Sequence, residues 1–143
     1  MKTRFNVRLW GARLLIALVV AWNLQAALFF LITPQTFTAG FELNGVPGSA
    51  ALRGIAILFV MWNIPYLVAL WHPQRNRVSL WEALAMQLVG VIGESILLFT
   101  LPEGHTALHA SLLRFIGFDS AGLVALGFAV FLSREWSRVH SRG

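Results

Sequence analysis

The chain has no cysteine among its 143 residues and little charge, and each shortage excludes classes of function. Without cysteine there are no disulfides, no thiolate metal sites, no iron–sulfur clusters and no thiol nucleophiles. Charged residues make up 12% of the chain, about half of their share in an ordinary soluble domain. The sequence also lacks a P-loop, a G-x-S-x-G motif, an H-E-x-x-H motif and a dinucleotide fingerprint. We therefore predict no catalytic residue and expect that the protein is not an enzyme.

Apolar residues are abundant instead, at 57% of the chain, and they concentrate in four long runs at 14–32, 54–71, 83–101 and 115–132. A helix rises ~1.5 Å per residue, so a hydrocarbon layer of ~30 Å takes about 20 residues to cross. With flanking residues, we place the spans at about 10–33, 50–71, 79–101 and 108–133 and an outer loop at 34–49. The predicted fold class is all-α, a polytopic membrane protein whose single domain, 1–143, is an antiparallel bundle of four transmembrane helices.

The basic residues predict how this bundle sits in a cell membrane. Nine of the 11 Lys and Arg residues fall on one side of the four-span topology. The positive-inside rule makes that side cytoplasmic, so we predict a multi-pass protein with cytoplasmic N and C termini. The same side carries tryptophans that we interpret as interfacial anchors, namely Trp10, Trp71, Trp81 and Trp136. The net charge of +5 does not indicate a nucleic-acid partner, because the basic residues are not interleaved with base-stacking aromatic residues.

The outer loop is the longest irregular segment, and it carries apolar residues that a solvated loop does not need. Pro34 ends the first helix, and Asn44-Gly45 and Pro47-Gly48 are turn signals. Phe37 and Phe41 give the loop an apolar side. We therefore predict that it folds back onto the outer face of the bundle as a short hairpin or lid.

Polar residues within the predicted spans hold most of the functional information, and they are Arg53, Asn63, Gln87, Glu94, Arg114 and Asp119. Glu94 and Arg114 both lie about 10 Å below the outer boundary, by the helical rise. Since an isolated charge in hydrocarbon is costly, we predict that Glu94 pairs with Arg114, Arg53 or both. Gln87, Gly90 and Glu94 share one face of the third span, which predicts a polar seam inside the bundle.

This intramembrane polar cluster has two interpretations. A neutral set of Arg and Glu can simply fix helix register and the choice of neighbouring helix. Alternatively, the cluster performs a proton or anion step or binds a polar head group. Asp119, near the midplane and without a firm partner, is the best single candidate for the functional role.

The histidines give only one candidate metal site. His105 and His109 are four residues apart, a spacing that can place two imidazoles on one metal, but no third ligand has a defined spacing. We therefore predict no metal. No histidine lies in the middle of a span, so a haem held between two helices is not expected. We predict no cofactor, with a bound lipid or quinone as the alternative.

The first half of the chain resembles the DoxX-like group of small four-helix membrane proteins over roughly residues 10–71. The resemblance lies in a first span that ends at Pro34, an outer loop with Gly45 and Pro47, and Arg53-Gly54 at the start of the second span. The segment FVMWNIPY departs from the glycine-rich pattern of that group. The resemblance implies a four-helix fold and a chain that often works beside other proteins, and it assigns no catalytic residue.

Three functions are compatible with these features. The first is a small non-catalytic membrane subunit, in contact with lipid and with other subunits or copies of itself, because Gly117, Ala121, Ala125 and Ala129 form a stripe that could receive a foreign helix. The second is a small oligomeric transporter or channel that uses the Arg/Glu/Asp cluster. The third is a membrane enzyme that handles a lipid or quinone beneath the outer loop.

Overall fold

The protein, described by a computed structural model, consists of four long helices and one short helical segment. The backbone is described for residues 2–140 and the side chains for residues 7–133. The helices are α1 Lys2–Ile32, α2 Gln35–Thr38, α3 Gly45–Trp71, α4 Arg77–Thr100 and α5 Thr106–His140, and a 3₁₀ turn Ala39–Phe41 follows α2. Each of the four long helices is long and apolar enough to cross a membrane. The predicted fold class, a four-span antiparallel helical bundle, is confirmed.

Proline and asparagine mark the helix boundaries. α1 ends two residues before Pro34, which has no N–H to continue the helical ladder. α3 begins at Gly45, five residues earlier than predicted, because Pro47 falls within its first turn, where helices tolerate proline. The Asn76 side chain donates a hydrogen bond to the Val68 carbonyl over 2.7 Å, which holds the short connection between α3 and α4.

The four long helices form a closed ring in which α1 packs on α3 and α5, and α4 packs on the same two helices. We call the end of the ring with residues 33–44 and 101–105 the lid end, and the end with residues 72–76 the opposite end. The larger core cluster lies towards the opposite end. Alanines there let the helix backbones approach closely, and Ala12, Ala69, Ala83 and Ala129 are at most 1% exposed.

The segment from Gln35 to Phe41, which we call the lid, lies over the ring at the lid end. Phe37 and Phe41 pack against the second core cluster, which contains Phe30 and Leu52. This confirms the prediction of a lid with an apolar side, although the segment is helical and not a hairpin. Glu42 ends the lid with a φ of 55°, in the left-handed region that a glutamate rarely adopts.

Three of the four predicted anchor tryptophans lie exposed near the opposite end. Trp10, Trp71 and Trp81 are 60%, 76% and 46% exposed. Arg13 donates a hydrogen bond to the Trp71 carbonyl over 2.7 Å and lies 5.6 Å from the centre of the Trp10 ring. The side chain of Trp136 lies outside the described residues. Which side of the membrane this end faces stays a prediction.

Candidate functional site

A cavity of about 800 Å³ lies between the four helices and beneath the lid. Five of the six residues of the predicted polar cluster line it, namely Asn63, Gln87, Glu94, Arg114 and Asp119. Val89 and Leu97 also line it and are 62% and 58% exposed, so the cavity reaches the outer surface of α4. The predicted polar seam is thus the wall of an internal space.

A chain of hydrogen bonds crosses this wall from α3 to α5. The Tyr66 hydroxyl donates to Gln87 Oε1 over 2.7 Å. Gln87 Nε2 in turn donates to Asp119 Oδ1 over 2.9 Å and to the Asp119 carbonyl over 3.2 Å. Tyr66 and Gln87 are 2% and 4% exposed. Because both partners of Gln87 are fixed, its amide orientation is determined and Asp119 is held in one position.

This finding corrects the interpretation of Asp119 as a carboxylate without a firm partner. Glycines on the neighbouring turns make room for its pairing with Gln87. A Cβ atom at Gly90 would collide with the Asp119 carboxylate, and one at Gly122 would lie 2.7 Å from Gln87 Nε2. The two glycines therefore allow the polar chain to form between closely packed helices.

The predicted ion pair of Glu94 with Arg114 or Arg53 is not formed. An ion pair does form between His105 and Glu42, outside the predicted cluster. Glu94 Oε2 is buried and has no hydrogen-bond partner. A prediction from depth alone does not decide which way an arginine side chain extends.

Both arginines satisfy their donors elsewhere. Arg114 Nε donates to the Ala110 carbonyl over 3.3 Å, and its Nη2 donates to Ser111 Oγ over 3.1 Å, both one turn closer to the lid end. Arg53 Nε donates to the Leu31 carbonyl over 3.4 Å and does not line the cavity. A guanidinium that extends towards the membrane boundary avoids the cost of charge in hydrocarbon, which is the physical reason why neither reaches Glu94.

Two further polar atoms of the cavity-lining residues lack partners. The Asn63 amide donates from Nδ2 to the Phe59 carbonyl over 2.7 Å, which leaves its Oδ1 buried and unpaired. The Trp62 indole N–H is buried and unpaired as well. An unpaired buried polar atom costs about 1–3 kcal/mol, so this wall can form hydrogen bonds with a bound molecule.

Aromatic rings make up the wall of the cavity nearest the lid. Phe30 is the central ring, with centroid distances of 5.1 Å to Phe37, 5.7 Å to Phe41, 6.3 Å to Phe59 and 6.5 Å to Phe115. These contacts join the lid to α1, α3 and α5. The cavity wall beneath the lid is therefore largely aromatic, with Ser111 and Arg114 beside the rings.

Polar contacts with α5 hold the lid in place. Glu42 Oε2 lies 2.5 Å from His105 Nδ1, and Glu42 Oε1 accepts a hydrogen bond from the Leu108 N–H over 3.2 Å. These two bonds lower the pKa of Glu42 below its ordinary value, the contact with His105 having the larger effect. Ser111 Oγ adds a hydrogen bond to the Gly40 carbonyl over 2.6 Å. His105 thus has a structural role in the lid.

The candidate metal ligands do not come together as a site. His105 is engaged with Glu42, and His109 is exposed. Among the described residues, no group of three or more His, Asp or Glu side chains is placed to hold a metal ion.

Sequence reasoning missed the residues that tie distant segments together. The role of Tyr66 depends on Gln87, which is 21 residues away along the chain. The Glu42–His105 contact spans 63 residues. A signal did exist for the aromatic wall, since Phe30, Phe59 and Phe115 lie near the lid ends of three spans, but only Phe37 and Phe41 were singled out.

Comparison of the chain with protein-family models, with curated proteins and with solved structures gave no match. The resemblance to the DoxX-like group therefore stays a prediction. What the geometry defines is a four-span membrane protein whose bundle encloses a cavity with an apolar end and a hydrogen-bonding end.

Proposed function

We propose that the protein binds a lipid-soluble molecule with a polar head group, a lipid or a quinone, inside its helical bundle. The observation that carries this proposal is the cavity of about 800 Å³, a volume within the range of about 300–1,000 Å³ found for small-molecule sites. A bundle that only packed beside other subunits would gain nothing from such a space, since close packing of helices is what stabilises it.

The two walls of the cavity suit the two parts of such a molecule. The phenylalanine cluster under the lid offers apolar surface to a hydrocarbon portion. Asn63 and Glu94 offer unpaired polar atoms to a head group. The exposure of Leu97 on the outer side of α4 provides a route from the surrounding lipid.

The small-residue stripe gives weaker support to the role of a non-catalytic subunit. Ala129 is buried in the protein's own core and Ala125 packs against it, whereas Gly117 and Ala121 are exposed. Only half of the stripe is therefore free to receive another helix. The roles of membrane subunit and of transporter or channel stay predictions.

Filling the cavity tests the proposal. A Cβ atom at Gly93 would have open space around it, and Gly93 lines the cavity, so Gly93→Phe places a ring inside it. Gly117 also has open space around its Cβ position but does not line the cavity, so Gly117→Phe is the matched control. The two variants and the wild type are extracted with their native lipid in polymer discs, and bound molecules are identified by native mass spectrometry.

We expect the wild type and Gly117→Phe to carry a stoichiometric lipid-soluble molecule that Gly93→Phe has lost. Equal retention by Gly93→Phe and Gly117→Phe would contradict the proposal, because the molecule would then lie outside the cavity. Thermal unfolding of both variants shows whether each bundle is still folded when the comparison is made.

A further inference from the structure

We infer that the cavity selects a head group that is positively charged and donates hydrogen bonds, the class of protonated primary amines carried on a hydrocarbon chain. This inference rests on the proposed function and names the chemistry of the molecule bound there. It follows from three properties of the cavity wall: its charged side chains, the donor or acceptor character of its unpaired hydrogen-bonding atoms, and its aromatic rings.

Of the side chains that the structure describes, two acidic ones and one basic one line the cavity. Glu94 and Asp119 both line it, on facing helices α4 and α5. Arg114 is the one cationic side chain among the described residues that line the cavity. Its Nε and Nη2 atoms bind Ala110 and Ser111 towards the lid end, so it does not neutralise either carboxylate. A bound ammonium group would provide the missing positive charge.

The unpaired atoms of this wall are mostly acceptors. Asn63 is 1% exposed, and its Nδ2 is used on Phe59, so the group it has left is the acceptor Oδ1. Glu94 Oε2 is a second buried acceptor without a partner. Both atoms belong to residues that line the cavity. An ammonium group has three donors and no acceptor, which matches such a set.

Aromatic rings in the same wall favour a cation further. Trp62 and Trp22 both line the cavity, and the face of an indole ring attracts a positive charge more strongly than that of any other side chain. A neutral hydroxyl head group could bond to Asn63 but would give Glu94 and Asp119 no cationic partner. A carboxylate or phosphate head group would bring a further acidic group beside these two side chains.

Three probes with the same twelve-carbon chain distinguish a cationic, a neutral and an anionic head group. Dodecylammonium, dodecanol and dodecanoate differ only in the charge and donors of the head group. Each is added at equal mole fraction to the full-length protein in phosphatidylcholine nanodiscs, and native mass spectrometry counts the bound probe. The comparison is repeated with the double variant Glu94→Gln/Asp119→Asn, whose side chains keep the shape of the originals, and with Glu103→Gln, which removes a carboxylate outside the cavity.

We expect dodecylammonium to bind at least about tenfold more tightly than dodecanol and dodecanoate, because a hydrogen bond to a charged group is the stronger kind. The preference should be lost in Glu94→Gln/Asp119→Asn and kept in Glu103→Gln. If the double variant does not fold, the single variant Glu94→Gln replaces it, since Glu94 has no partner in the fold to lose.

Equal binding of the three probes, or a preference for dodecylammonium that survives undiminished when the carboxylates are removed, would overturn this inference and leave the proposed function standing. Tightest binding of dodecanol or dodecanoate would overturn it as well. Failure of all three probes to bind, together with no difference between Gly93→Phe and Gly117→Phe in carried molecules, would overturn the proposed function itself.

Discussion

The two ends of this bundle use the same four helices in opposite ways. Towards the opposite end, alanines and leucines fill the space between the helices, and Ala83, Leu126 and Ala129 are completely buried. Towards the lid end, phenylalanine rings and polar side chains surround about 800 Å³ that no protein atom fills. The close-packed half holds the helices together, so the other half can remain open and pair its polar groups only in part.

The largest expected effect comes from opening a cavity where there is none. Leu126 is 0% exposed in the close-packed core, so Leu126→Ala should lower the free energy of unfolding by about 2–5 kcal/mol. Leu58 is 56% exposed, and Leu58→Ala should change the free energy of unfolding by about 0.5 kcal/mol or less. Unfolding of both variants in mixed micelles measures the difference, and equal effects would show that Leu126 is not part of a close-packed core.

A smaller effect should distinguish two glycines on the same face of α4. Gly90→Ala forces a Cβ atom against the Asp119 carboxylate, which Gln87 holds in place, and should cost about 1–3 kcal/mol of unfolding free energy. Gly93→Ala adds its Cβ atom to open space, and should stabilise the helix by up to about 1 kcal/mol. Thermal unfolding of the pair measures this contrast. A Gly90→Ala variant as stable as Gly93→Ala would mean that Asp119 is not fixed by Gln87.

Removing a hydrogen bond from the chain of Tyr66, Gln87 and Asp119 should lower the free energy of unfolding by less than Gly90→Ala does. Tyr66→Phe removes the donor to Gln87 Oε1 and should cost about 0.6–2 kcal/mol, the range for hydrogen bonds within membranes and in buried sites. In a Gln87→Leu background the same substitution should cost measurably less, because the partner is already gone. A double-mutant cycle measures this coupling, and additive effects would show that the two side chains act independently.

The smallest effect concerns the exposed contact that fastens the lid. The pKa of Glu42 lies below its ordinary value of 4.5, so this contact stabilises the closed lid above about pH 4.5 and is lost as the pH falls through the lowered pKa. Ser111 is 3% exposed and bonds to the lid at Gly40, so maleimide labelling of Ser111→Cys reports lid opening. The chain has no cysteine of its own to compete.

We expect labelling of Ser111→Cys to increase below pH 4.5, relative to labelling of Val46→Cys. Val46 is 82% exposed, so the ratio of the two rates cancels the pH dependence of the thiol reaction. Adding Glu42→Gln should raise the ratio at neutral pH and remove its response to acid. A ratio that does not respond to either change would show that Glu42 does not fasten the lid.

The sequence predicted the membrane spans and the lid better than it predicted the contacts within the site. Length and hydropathy determine where a span lies, and helical spacing correctly placed Gln87, Gly90 and Glu94 on one face, now seen in the cavity wall. The lid was predicted because Phe37 and Phe41 are out of place in a solvated loop. These inferences are local, since each needs only neighbouring residues.

The side-chain pairings could not be predicted because they depend on how each helix is rotated about its axis and on how far each side chain extends. Glu94 and Arg114 were predicted to lie at one depth and to pair, yet the long arginine side chain bonds to Ser111 on its own helix. Asp119 is held by an amide, Gln87, and not by either arginine. A charge balance drawn from depth alone favours ion pairs, whereas a flexible guanidinium in a membrane extends towards the boundary when it can.

The lid also constrains the order in which the protein can be completed during its synthesis. The groups that fasten it, His105, Leu108 and Ser111, all belong to the last helix or the turn before it, whereas the lid itself follows the first helix. A nascent chain with three helices inserted has therefore made the lid but not its fastening. The lid can be held closed only after the final helix has been inserted. A ligand could therefore enter the cavity during synthesis, before the lid is held in place.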